Sequence, residues 1–160
     1  MRKILIAITL ILVGCHKDYF DYGSAVFSNE SNNEIVLLRN YISYQYYPKY
    51  DTILDNCVSE KCRFIKVAPN SKQTILYWTN VDKLYKTDTI SVFVLDKITF
   101  DTVSWKNICN DYLIICRYDL SGRNLEELNS VIPYPPSPAM KDMKMFPSYE
   151  DIVKQYLQSE

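Results

Sequence analysis

Short apolar segments that alternate every second residue recur along this chain, and they restrict it to a sheet-built fold. The stretch from Thr89 to Asp96, TISVFVLD, is the clearest. Ile90, Val92 and Val94 fall on one side, Phe93 and Leu95 on the other. The run from Ser24 to Tyr41, SAVFSNESNNEIVLLRNY, reads as strand, turn, strand, because Asn and Ser side chains hydrogen-bond their own backbone in turns. Tyr41 to Tyr50, YISYQYYPKY, sets Ile42, Tyr44 and Tyr46 against Ser43 and Gln45 and stops at Pro48. CRFIKVAP, QTILYWTN and DYLIICRYDL supply further strands. Short strands spaced roughly ten residues apart, with few helices between them, predict an all-β sandwich of immunoglobulin-like type.

Helical signals are brief. Ser104 is an N-cap residue ahead of Trp105 and Ile108, three apart, and SGRNLEELNS places Leu125 and Leu128 three apart. Each predicts one or two turns. A fuller helix is expected at the C-terminus, where Ser148 and Asp151 form a capping pair. Tyr149, Ile152, Val153, Tyr156 and Leu157 then make one apolar stripe. That stripe packs on its own domain or docks on a partner. Four of the seven prolines lie in IPYPPSP, which reads as an extended segment between the domain and its tail.

The start of the chain has a different character. Met1-Arg2-Lys3 is a basic head, and Ile4 to Val13 is apolar throughout. A membrane span needs about 20 apolar residues, so this run is too short to cross and fits the core of a secretory signal peptide. The alternative is a buried first strand or helix. Leu12-Val13-Gly14-Cys15 resembles the lipobox of bacterial lipoproteins. The resemblance implies cleavage before Cys15 and acylation of its thiol, with palmitate-type chains holding the protein on a membrane without a protein span. The organisation expected is a signal peptide over 1–14, a tether over 15–23, a sandwich domain over 24–136, and a C-terminal extension with a helix over 137–160. The mature chain, Cys15 to Glu160, has 146 residues, enough for one domain. Loss of Arg2 and Lys3 takes its formal charge from −1 to −3. This balance offers no basic footprint for nucleic acid.

With Cys15 acylated, Cys57, Cys62, Cys109 and Cys116 remain, an even number in an exported chain. Cys57–Cys62, across VSEK, and Cys109–Cys116, across NDYLII, are the simplest bridges. The alternative is reduced thiols buried as small apolar groups. The spacings, with no histidine near either pair, are not those of a zinc site.

Little in the chain speaks for catalysis. His16 is the sole histidine and lies beside the acylation site, so the domain has none for a nucleophile–base pair. Gly14, Gly23 and Gly122 are isolated and form no phosphate loop. Paired carboxylates such as Asp96 with Asp101, or Glu126 with Glu127, would suit a histidine-free glycosidase. The plainer reading is that Asp96 and Asp101 bound a turn between strands and the glutamates form a solvated helix face. No catalytic residue, metal or cofactor is expected.

Fourteen tyrosines in 160 residues are more suggestive. Tyr41, Tyr44, Tyr46, Tyr47 and Tyr50 cluster within ten residues, as a binding platform for glycan or protein or as ordinary strand packing. Thr52, Thr89 and Thr102 each sit in an Asp-Thr-apolar triplet. The triplets resemble the O-glycosylation acceptor pattern of exported Bacteroidetes-type proteins, and an aspartate turn leading into a strand gives the same letters.

From Leu113 to Tyr149 the chain carries Arg117-Tyr118-Asp119-Leu120, then Leu125 to Asn129, Tyr134-Pro135-Pro136, and Ala139 to Met145. This order resembles small uncharacterised lipoproteins of Bacteroidales-type gut bacteria. FSNESNNEIVLL and ISVFVLD extend the likeness less specifically. The resemblance implies an envelope address, at the outer membrane on its periplasmic or surface face, and a sandwich fold. It transfers no functional residue besides Cys15. The cysteine pairs and the helix after Tyr149 depart from that pattern. A non-catalytic binding or structural module is the function expected. An immunity protein against a toxin is the alternative, and a histidine-free glycosidase a more distant one.

Overall fold

The computed structural model describes residues 23–42, 64–78 and 89–159. It is a β-sandwich. Strands β1 (Gly23–Asn29), β4 (Ser71–Trp78) and β7 (Val131–Tyr134) form one sheet in the order β4-β1-β7. The second sheet contains β2 (Ile35–Ile42), β3 (Phe64–Val67), β5 (Thr89–Asp96), β6 (Cys116–Ser121) and β8 (Met145–Phe146), in the order β3-β2-β5-β6-β8. Every adjacent pair is antiparallel except β1 with β7, where Val26 lies beside Val131 and Asn29 beside Tyr134.

Period-two alternation decides what fills the space between the sheets. Ile35 and Leu37, Val67, Ile90, Val92 and Val94, and Cys116, Tyr118 and Leu120 point inward from the larger sheet. Ala25, Phe27, Ile75, Ile132 and Tyr134 meet them from the smaller one. Burial of large side chains of this kind contributes about 1.5–3 kcal/mol each before chain entropy is counted.

The larger sheet is buried on its other face as well. Helices α1 (Lys97–Thr102) and α2 (Trp105–Asn110) run between β5 and β6. Phe100, Val103, Trp105 and Ile108 from this stretch cover Val36, Leu38, Phe93 and Leu95. That accounts for the unbroken apolar run from Val92 to Leu95, since a strand segment covered on both sides needs no polar face. The turn expected between Asp96 and Asp101 is instead α1. Asp96 caps it, its carboxylate accepting from the Thr99 N–H at 2.8 Å, and Lys97 pairs with Asp101 one turn on. Ser104 caps α2 as expected, accepting from Asn107 N–H at 3.3 Å.

IPYPPSP is not a linker. Its first residues form β7, whose Ile132 and Tyr134 are core residues. Pro133 is tolerated there because β7 lies at a sheet edge. Beyond it, Met140 and Met143 enter the same core and β8 extends the larger sheet, so the tail is integral to the sandwich. Helix α3 (Gly122–Glu127) carries a capping box between Ser121 and Asn124. Helix α4 (Tyr149–Ser159) inserts Ile152 into the core and leaves Leu157 exposed.

The expected Cys109–Cys116 bridge is not made. Cys116 is a free thiol between the sheets, whereas Cys109 packs in the layer on the opposite face of the larger sheet. Two thiols separated by a strand layer cannot approach to bonding distance without moving backbone. Cys57 and Cys62 lie outside the described residues.

Burial pushes the Cys116 thiol from 9.0 up to about 12, and it raises the Tyr118 and Tyr134 phenols too. The unfolded chain ionises these groups at ordinary values. Above about pH 9 it therefore releases protons that the folded chain keeps, and stability falls as pH rises toward 12. Each group at full effect contributes about 1.4 kcal/mol per pH unit. Urea midpoints measured between pH 8 and 11 will decline progressively above 9; a constant midpoint contradicts this burial. The Tyr118 hydroxyl is buried near Tyr134 and, among the described residues, has only the weakly bonding Cys116 thiol in reach of a hydrogen bond. Tyr118→Phe is accordingly expected to leave stability within about 1 kcal/mol of the parent, or to raise it. A loss above about 2 kcal/mol in urea titration points to a stronger partner for that hydroxyl.

Candidate functional site

The most unusual chemistry in the fold lies in β6. Within a strand that is otherwise apolar, Arg117 and Asp119 are two residues apart and so share its outer face, while Tyr118 between them points into the core. Their side chains are 2% and 4% exposed, so both charges have been taken out of water.

Arg117 Nη2 pairs with Asp119 Oδ2 at 3.0 Å. Its Nη1 donates to the Tyr112 hydroxyl at 2.9 Å, and the guanidinium stands 5.9 Å from the Phe93 ring centre. The other carboxylate oxygen of Asp119 accepts from the Ser91 hydroxyl at 2.6 Å. Ladder register explains these meetings. Phe93 lies opposite Arg117 and Ser91 opposite Asp119 across β5 and β6, and Phe146 of β8 flanks Arg117 on its other side. At the solvent rim Lys144 Nζ stands 3.9 Å from Asp119 Oδ2, and the Lys144 carbonyl accepts from the Asp119 N–H at 2.9 Å.

Tyr112 reaches the pair through an uncommon backbone state. It follows α2 at φ 50°, the left-handed position where helices usually place glycine. The Leu113 N–H donates to Ile108 O at 3.0 Å and the Tyr112 N–H to Cys109 O at 3.4 Å, a Schellman closure. A tyrosine there carries backbone strain of about 1–2 kcal/mol. The strain places its hydroxyl on Arg117 and its ring 5.4 Å from Phe146, edge to face.

Chemically this cluster is a brace. Asp119 spends both carboxylate oxygens on Ser91, Arg117 and Lys144. The arrangement ties β5, β6, β8 and the end of α2 together.

The residues expected from sequence to act as sites lie elsewhere. Cys15, Tyr44, Tyr46, Tyr47, Tyr50 and Thr52 fall outside the described residues, and Tyr41 is in β2 opposite Ile90. Thr89 opens β5 and is half-buried. Thr102 closes α1 on the surface, its hydroxyl donating to Ile98 O at 2.8 Å. Asp96 is a helix cap, and Glu127 pairs with Arg123 at 3.2 Å along α3. Among the described residues no three His, Cys, Asp or Glu side chains gather as a metal site, and no helix is long and apolar enough to cross a membrane.

Sequence reasoning had passed over Arg117 and Asp119 as functional groups. The signal was two opposite charges at strand spacing inside LIICRYDL, an apolar run that otherwise had no place for them.

Fold and site together define a class and no more: an all-β sandwich braced by a buried ion pair. No protein-family model matches the chain, and comparison with curated proteins and with solved structures finds no match.

Proposed function

We propose that this chain is a lipid-anchored protein of the bacterial cell envelope, at the outer membrane, whose sandwich serves as a non-catalytic binding or structural module. The observation that carries the reading is Leu12-Val13-Gly14-Cys15 directly after the apolar run that begins at Ile4. Acyl chains on Cys15 would hold a folded body beside the bilayer, because two or more chains anchor firmly where one does not. A brace that resists local opening suits a domain working outside the cell. The lack of a histidine after His16 supports a non-catalytic role. The tyrosines from Tyr41 to Tyr50 are the proposed contact surface, for glycan or protein. The immunoglobulin-like type of sandwich belongs to the same proposal. What supports it is a chain that passes repeatedly between two facing sheets and pairs its first strand in parallel with a late one.

The test is Cys15→Ser, expressed with an alkyne palmitate analogue in a host that processes lipoproteins. The parent is expected in the membrane fraction with label, and the variant is expected to lose both. A parent whose mass retains Met1, or whose Cys15 is unmodified, overturns the proposal.

A further inference from the structure

We draw no further inference here: the strongest candidate, the aromatic patch of Phe64, Phe100 and Trp105 with the exposed Ile98, where the β3 edge of the larger sheet meets α1 and α2, is an apolar face and nothing in the structure shows what covers it.

Discussion

Arg117→Met, with Asp119 left in place, will lower the unfolding free energy by about 3–5 kcal/mol. The methionine fills much of the same volume against Phe93 but supplies no charge. Asp119 then remains 4% exposed with the Ser91 hydroxyl on one side and Lys144, at 3.9 Å, as its cation. Desolvating a carboxylate without a close partner is what costs energy; the net value of the pair itself is small. Two consequences separate this from simple loss of packing. Asp119→Leu alone will cost a similar amount, because it removes the carboxylate that compensates the buried guanidinium. The double variant Arg117→Met with Asp119→Leu will recover most of the loss, leaving mainly the Ser91 hydroxyl without its carboxylate. Urea unfolding of the four proteins gives the coupling energy directly. Single costs below about 1 kcal/mol that simply add would mean the pair is solvated, and the brace would then have no energetic content. In a domain whose total stability is about 5–15 kcal/mol, the expected loss is enough to change the folded yield.

Asn29→Ala is expected to be nearly as damaging, at about 3 kcal/mol, from an uncharged side chain. Asn29 ends β1 with no exposed surface. Its amide nitrogen donates to Asn33 O at 2.8 Å, Ala68 O at 3.0 Å and Val67 O at 3.2 Å, and its oxygen accepts from the Ser31 N–H and hydroxyl. These partners belong to two turns, β1 to β2 and β3 to β4, at each of which the chain passes from one sheet to the other. One side chain therefore stitches two of the crossings, helped by the Asn70 N–H on Ser31 O. Alanine takes the amide donor from the buried Val67 carbonyl and leaves the Ser31 N–H without its acceptor, while Asn33 O keeps the Ser31 hydroxyl and Ala68 O the Ser71 hydroxyl. Asn29→Asp will be worse than alanine, because a carboxylate would face those same carbonyls. Thermal unfolding of the two variants, ranked against the parent, checks this order. Aspartate more stable than alanine would show that the donors from Asn29 are not what holds the corner.

The strands were legible because their cause is local. Alternation in TISVFVLD assigns Ile90, Val92 and Val94 to one face and Phe93 and Leu95 to the other, and the sandwich keeps that division. Ser104 and Ser148 marked helix starts for the same reason, since a cap is settled within one turn of chain. Asn29 was visible only as a turn letter in SNESNN. Its partners at Val67 and Ala68 are 38 and 39 positions away, and no local pattern points to them. Lys97 to Thr102 was misread because Asp96 and Asp101 suit a turn as well as a helix; the apolar outer face of the sheet, which needs a cover, decides for helix.

By itself the sequence determined that EIVLLRN, QTILYW and TISVFVLD are strands and which residues of TISVFVLD share a side, and it carries the lipobox-like letters from Leu12 to Cys15. Those properties depend on residue type and spacing alone. Tertiary structure alone decided that Arg117 and Asp119 are buried together, that Cys109 and Cys116 are kept apart by a sheet, and that the proline-rich stretch enters the core. Each of these follows from which strands lie side by side and what covers them, and neither is fixed by residues adjacent in the chain.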